Sequence, residues 1–310
     1  MTSPMKSGQK RFLIVFNPLP NRQRKTKLQR LLLRLRQGGH DWQLFPTDEN
    51  YHANKHSFEL HKGEFTDVIV LGGDGTFNLV VNLVQGHDVT VGLIPAGTGN
   101  DFARAWYGKK RNDMSFILDT VLGHRVESVS LGCCEFDDTE QSESKQTKRY
   151  FHNVMGMGFD AALAKSLRHN KGMFQSLGYI LAALKNIPFY KEPECEIEVE
   201  SENLQYRNLI TVFGNSKFFG NGMAIAPDAD PKSSDIQIVR VEKHKLWTKL
   251  VLITQLLLGR HKSSPNVDMK VTIEPVIIKT SGLDLEADGE YIGVSPCKVT
   301  TVKNALLLKR

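Results

Sequence analysis

Cysteine is scarce: four residues in 310, Cys133, Cys134, Cys195 and Cys297. They follow no metal-ligand spacing, and adjacent Cys133 and Cys134 would face opposite sides of a strand. They read as reduced thiols of a cytoplasmic protein, which excludes a disulfide scaffold or a zinc module. Long apolar runs are missing too. The longest, Leu246 to Leu258, is interrupted by Thr248, Lys249, Thr254 and Gln255, short of the ~20 residues a membrane-spanning helix needs. The opening MTSPMKSGQKRFLIVF loses its apolar stretch at Asn17-Pro18, unlike a secretory signal. Acid is absent from residues 1–40, which hold ten of the 40 Lys and Arg and none of the 34 Asp and Glu. That face points to an anionic partner (phosphate, a membrane surface or nucleic acid), although a solvated helix face explains the charge equally well.

What is present is ordinary for a folded protein. Hydrophobic residues make up 40% and charged residues 24%, so disordered and fibrous classes are excluded. The length favours two domains. In the first third strand and helix alternate: Phe12–Phe16, helix Lys25–Gln37 with its stripe Leu28, Leu31, Leu32, Leu35, then Asp41–Phe45, Ala53–Lys62, Val68–Leu71, Phe77–Val84, Val89–Ile94 and a helix from Asp101. This predicts a doubly wound parallel sheet covered by helices. After about residue 124 strand patterns dominate: Val126–Leu131, Glu194–Glu200, Leu209–Phe213, Asp235–Val241, Met269–Glu274, Val276–Thr280 and Lys298–Val302. Helices are expected near Phe174–Asn186 and Lys245–Leu258, and a mobile hairpin loop over Asp137–Lys148. The expected organisation is an α/β nucleotide-binding domain over 1–124 and an antiparallel β-sandwich over 125–310, with the last residues free to rejoin the first domain.

The most informative segment is Asp67-Val-Ile-Val-Leu-Gly72-Gly73-Asp74-Gly75-Thr76 followed by an amphipathic helix. Strand, glycine turn and helix suit phosphate: glycine lets the backbone approach closely and the helix start offers N–H groups. Asp74 in the middle would repel phosphate unless it holds Mg²⁺ or accepts a proton. A second loop, Pro95-Ala-Gly97-Thr98-Gly-Asn100-Asp101, follows the next strand. Both loops fall at the carboxyl edge of one sheet, where open α/β sheets bind ligands. There is no P-loop and no protein-kinase motif set. Gly156-Met-Gly158 lacks the third glycine of a dinucleotide fingerprint.

At these residues the sequence resembles the diacylglycerol-kinase-like lipid kinases, relatives of sphingosine and ceramide kinases. The resemblance spans nearly the whole chain: Asn17-Pro18, Thr47, Gly72 to Thr76, Pro95 to Arg104, Asn153 to Asp160, Gly220 to Pro227 and Asp288-Gly-Glu290. It implies two domains with the site in the cleft between them, ATP, Mg²⁺ and a lipid bearing a hydroxyl. Asn17, Pro18, Thr47, Gly72, Gly73, Asp74, Gly75, Thr76, Gly97 and Thr98 would seat ATP. Asn100, Asp101 and Asp160 would meet the substrate, Asp74 would lie at the metal, and Glu290 would take the hydroxyl proton, with exchange of roles between Asp74 and Glu290 left open. One departure stands out. Where the family carries Asp-Gly-x-Leu-Asp with a structural metal, this chain has Ser233-Ser-Asp-Ile-Gln237.

Access to a lipid implies transient contact with a membrane surface. Arg24, Lys27, Arg30 and Arg34 are candidates for anionic head groups, and Trp247 with Leu246, Leu250 and Leu257 for apolar contact; packing against the sheets is the competing role for both. A nucleic-acid partner is not expected, because the basic residues lack interleaved aromatics. An oligomer is compatible with the sequence. The rival readings are an NAD kinase, which shares Gly-Gly-Asp-Gly but should carry Asn-Glu in its second motif, and a catalytically silent lipid- or nucleotide-binding regulator.

Overall fold

The computed structural model describes residues 10–143, 145–167, 185–257 and 259–310. It divides into two units, Met1–Val129 with Ala305–Arg310 and Ser130–Asn304. The first unit alternates β1 (Arg11–Phe16), α1 (Arg22–Gln37), β2 (Asp41–Pro46), α2 (Tyr51–Leu60), β3 (Asp67–Gly72), α3 (Asp74–Leu83), β4 (Thr90–Pro95), α4 (Asp101–Tyr107) and α5 (Met114–Leu122). β1 pairs in parallel with β2 and β3, and β3 with β4. Phe12, Ile14, Ile69 and Leu71 of the sheet meet Leu31 and Leu35 of α1 and Ile117 and Val121 of α5 in one core. The leucine stripe of α1 is spent there, with Leu28 and Leu32 packed at the edge. α1 starts ahead of the expected Lys25 because the Asn21 side chain accepts the Arg24 N–H and fixes the first turn. The helix expected from Asp101 breaks at Gly108 (φ 56°) and restarts behind Asp113, whose carboxylate caps α5 through the Ser115 and Phe116 N–H groups.

The second unit carries most of β5 (Val126–Phe136), then β6 (Lys148–Phe151), β7 (Val154–Gly158), α6 (Phe159–Leu167), β8 (Glu194–Val199), β9 (Glu202–Gly214), β10 (Ile236–Glu242), α7 (Leu246–Leu257), β11 (Asp268–Thr272), β12 (Val276–Ile278), β13 (Asp284–Ala287), β14 (Glu290–Val294) and β15 (Cys297–Lys309). Residues 202–207 of β9 pair with β8, and its second half with β7 and β10, all antiparallel. From there one layer continues through β12 to β15 and the other through β13 to β14. The sandwich closes over Phe151, Met155, Ile197, Phe213, Val276 and Leu285.

Gly156-Met-Gly158 lies inside β7, in keeping with a run that is no dinucleotide fingerprint. One expectation changes. The polar stretch Asp137–Lys148 is not a mobile loop in its described residues: Ser142 is buried and bridges Gly293, and the Glu143 N–H donates to the Ile292 carbonyl at 2.8 Å. Gly293 (φ 141°) permits this, since a β-carbon there would overlap the Gln141 carbonyl oxygen. The helix expected near Phe174–Asn186 falls almost wholly outside the described residues. All four cysteines are buried thiols, with Cys133 pushed up to about 12 by burial.

The end of β15 belongs to the first unit. Leu307 and Leu308 pair in parallel with Thr90 and Val91 of β4. Trp106 Nε1 donates to the Lys309 carbonyl at 2.8 Å, and Lys309 Nζ meets Asp67 at 2.6 Å.

Candidate functional site

Two glycine loops close the carboxyl ends of β3 and β4. The Ala96 N–H donates to the Gly72 carbonyl at 2.7 Å, carrying the strand pairing into the loops. A β-carbon on Gly97 would overlap the Gly73 α-carbon, and one on Gly73 would lie 2.9 Å from the Gly97 α-carbon. Loop-on-loop contact therefore demands glycine at both positions before any ligand is considered. Asn100, left-handed at φ 51°, locks the second loop: its Oδ1 accepts the Gly97 N–H at 2.9 Å and its Nδ2 donates to the Gly97 carbonyl at 2.8 Å.

Asp74 bridges the two loops. Its Oδ2 accepts the Asp101 N–H and its Oδ1 the Phe102 N–H, both at 3.1 Å. It thereby caps α4, whose N-cap residue Asn100 gives no side-chain cap, and sets a negative charge at that helix's positive end. The N-cap residue of α3 is Gly73, which has no side chain to offer the N–H groups of the first turn. Thr76 is half-buried under Gly72, Asp101 is buried, and Gly75 and Thr98 are exposed.

Asn17 and Pro18 end β1. Arg24 Nη1 donates to the Asn17 carbonyl at 2.7 Å and the Leu19 carbonyl at 3.0 Å, and Lys27 Nζ donates to the Pro95 carbonyl. Burial lowers the pKa of both cations. Thr47, half-buried after β2, donates its N–H to the Phe16 carbonyl at 2.9 Å. Of the four basic residues offered to an anionic surface, Arg24 and Lys27 are instead drawn inward by backbone carbonyls, whereas Arg34 pairs with Asp119 and Arg30 stays exposed.

In the second unit Asp288 and Gly289 (φ 51° and 87°) form the two-residue turn between β13 and β14. Asp288 is buried. Its Oδ1 accepts the Asn153 and Val154 N–H groups at 2.8 and 3.1 Å, its Oδ2 the His152 N–H at 3.0 Å, and His152 Nδ1 lies 2.7 Å from Oδ2. Burial works to raise its pKa, but His152 and the N–H groups outweigh it and hold the carboxylate below its ordinary value. Glu290, one residue past the turn, is exposed, with its Oε2 held at 3.0 Å by Nη2 of the buried Arg149.

Asp160, in the first turn of α6, and Glu286 on β13 are also buried. Gly156 makes room for them: a β-carbon there would overlap the Asp160 carboxylate and lie 2.8 Å from Glu286 Oε1. Burial raises the Asp160 pKa to about 7; burial, then the neighbouring Asp160 charge, lifts Glu286 well above its ordinary value. Asp160 also lines an apolar cavity with Phe159, Leu209, Val212, Leu252 and Leu256.

Arg149, His152 and Glu286 escaped the sequence reading, and Lys27 was named there for another role. Glu286 left a usable signal: it stands two residues before Asp288, hence on the same strand face. Gln237, where the family carries an acid, is buried. Its Oε1 accepts the Asp228 N–H at 2.9 Å and its Nε2 donates to Asp228 Oδ2 at 3.2 Å, while Lys262 Nζ lies 2.5 Å from Asp228 Oδ1. An amide and an ammonium around one carboxylate do not fit a structural cation. No group of three or more His, Cys, Asp or Glu among the described residues could hold a metal. The glycine loops fit a different arrangement, an Mg²⁺ that arrives with phosphate oxygens and takes few protein ligands.

Two family models match the chain. The diacylglycerol kinase catalytic domain matches residues 11–134, and the YegS C-terminal NAD kinase beta sandwich-like domain matches residues 153–309. The diacylglycerol kinase of Bacillus subtilis is 28% identical over 291 residues, covering 93% of this chain and 92% of that protein. The crystal structure of a diacylglycerol kinase from Bacillus anthracis superposes with TM-score 0.70 at 18% identity, covering 98% of each chain. Yeast NADH kinase shares the fold at TM-score 0.50 and 10% identity, over 97% of this chain and 82% of that one.

Proposed function

The chain belongs to the bacterial diacylglycerol kinase-like family and is a lipid kinase, and from that premise we propose that it transfers the γ-phosphoryl group of ATP to a hydroxyl of a diacylglycerol-like lipid. The observation that carries the donor half is the contact of the two glycine loops at Gly73 and Gly97, bridged by Asp74. Phosphoryl transfer needs positioning and charge neutralisation more than covalent chemistry. Gly72, Gly73, Gly75, Thr76, Gly97 and Thr98 offer backbone and hydroxyl groups to the phosphates at the start of α3, beside Asn17, Pro18 and Thr47. Lys27 and Arg24 add positive charge behind the loops. Asp74 is the residue that would hold an Mg²⁺ arriving with the nucleotide, and the ion would supply charge neutralisation of the phosphates. Glu290 takes the proton of the acceptor hydroxyl: it is exposed to a ligand and held in place by Arg149. The buried Asp288 anchors the turn that presents it, and Asp160 faces the lipid. Asn100 and Asp101 act on the substrate side through the loop they shape, since the Asn100 amide is spent on Gly97.

Contact with a membrane is proposed through α7 and the residues before β8. Trp247 is 80% exposed and Phe189 83%, beside exposed Leu246 and Val251, while Leu252 and Ile253 on the other side of α7 pack inward. No helix among the described residues is long and apolar enough to cross a membrane.

The deciding experiment is a kinase assay with labelled ATP and Mg²⁺ against diacylglycerol, monoacylglycerol, ceramide, a sphingoid base and NAD. A phosphorylated glycerolipid is expected. Label on NAD alone would replace this reading with the nucleotide-kinase one that the shared fold allows.

A further inference from the structure

Two cations of the acid-free segment 1–40 reach the end of the sheet where the glycine loops begin. β1 and β3 pair Phe16 with Leu71, which sets Asn17 beside Gly72, and β3 and β4 pair Gly72 with Pro95. Asn17 and Pro95 therefore flank the Gly72-Gly73 turn, two strand spacings or about 10 Å apart. α1 marks both flanks. Arg24 Nη1 donates to the Asn17 carbonyl and Lys27 Nζ to the Pro95 carbonyl, from positions i and i+3 on one helix face. Both side chains have donors left, since an ammonium carries three N–H bonds and a guanidinium five. Arg24 Nε is buried and meets no acceptor among the described residues. Burial lowers both pKa values, and no carboxylate among the described residues offsets it. Arg34 of the same helix, by contrast, has Asp119. Asp74, the acid of the first loop, holds the Asp101 and Phe102 N–H groups. Partly buried cations without a counter-ion are unfavourable unless a ligand supplies the opposite charge.

We propose that Arg24 and Lys27 form a clamp astride the Gly72-Gly73 turn that grips linked phosphates, one cation towards each end of the chain, and so selects a triphosphate over shorter phosphates. This deepens the lipid-kinase reading, on which it rests for the nucleotide as the source of those phosphates. Backbone N–H groups of the glycine loops bind phosphate without regard to chain length. Two separated cations add that regard: a single phosphate reaches one of them, and a chain reaches both through charge-assisted hydrogen bonds. The carbonyl bonds have a use here as well. They hold two long side chains in place, so less rotamer freedom is lost when the phosphates bind.

The test measures binding of inorganic tripolyphosphate, orthophosphate, adenosine and Mg²⁺-ATP to the full chain by calorimetry, alongside lipid phosphorylation. Arg24→Gln and Lys27→Met should each weaken tripolyphosphate and Mg²⁺-ATP about 10- to 100-fold, the loss expected for one hydrogen bond between charged groups. Orthophosphate and adenosine should change little. Lys27→Arg, which keeps the charge, should retain most of the affinity. The rise in melting temperature that tripolyphosphate gives the wild type should shrink in Arg24→Gln and Lys27→Met. Footprinting with acetic anhydride needs no variant: tripolyphosphate should protect Lys27 and leave the exposed Lys25 reactive. Phosphatidylglycerol vesicles, which offer single phosphates on a surface, should bind wild type and variants alike. Tripolyphosphate affinity unchanged in both variants, no protection of Lys27, a loss confined to vesicle binding, or an equal loss for adenosine in protein of lowered melting temperature overturns the clamp. The expected affinities in a protein that phosphorylates no lipid would support the clamp and overturn the phosphotransfer reading alone.

Discussion

Glu290 and Asp288 lie two residues apart and do opposite things. Glu290 is exposed and anchored by one arginine, so Glu290→Gln should leave the melting temperature unchanged while turnover falls at least ~100-fold, the usual loss for a general base. Asp288 is buried with three N–H donors and His152, so Asp288→Ala strands those donors and should cost on the order of 3 kcal/mol in denaturant unfolding. The pH dependence follows from the shifts. The Asp288 carboxyl titrates lower in the fold than unfolded, so its contribution is full above the unfolded carboxylate pKa and is lost as pH falls through its folded value. Asp160 has the opposite sign. Its folded pKa of about 7 lies above the unfolded value near 4, so stability is present in acid and lost as pH rises from 4 to 7. Relative to Asp160→Asn, the wild type should lose on the order of 4 kcal/mol across that window in urea titrations. A constant difference between the two proteins would refute the assignment.

At the scale of elements, the two loops act as one piece. Gly97→Ala puts a methyl onto Gly73, so the loops must part and Asp74 must release α4. ATP affinity, read by calorimetry, should fall at least ~10-fold with the sheet intact by circular dichroism, since only a loop contact worth 1–3 kcal/mol is displaced. Asp74→Asn should lower turnover and also soften the α4 cap by about 1 kcal/mol, and thermal melts would register the second effect separately. α7 carries its own prediction: Trp247→Ala should weaken vesicle binding without altering the melting temperature, because the indole packs against little of the protein.

Across the whole molecule, both the layer types and the two glycine loops were legible in the sequence. Continuous apolar runs such as Val68–Leu71 mark buried parallel strands, and Gly-Gly-Asp-Gly-Thr placed the loop that the structure shows against Gly97. The acceptor side was less legible, for physical reasons. Arg149, His152 and Glu286 gain their roles from antiparallel neighbours distant in sequence, and single-strand patterns do not reveal which strands will pair. The two roles left open for the basic helix could not be separated from sequence, because charge counts do not show that Arg24 and Lys27 find carbonyls. The docked stretch after β5 was misread because its polar composition hides a buried Ser142 and depends on a glycine about 150 residues away.

The stitching of Leu307, Leu308 and Lys309 onto β4 and Trp106 has a consequence for biogenesis. During translation the sheet of the first unit must wait, with the edge at β4 open, until residues 305–310 have left the ribosome. Ribosome-bound fragments stopped at residue 304 should be cut by protease in the first 129 residues, and adding a synthetic peptide of the missing six should protect them.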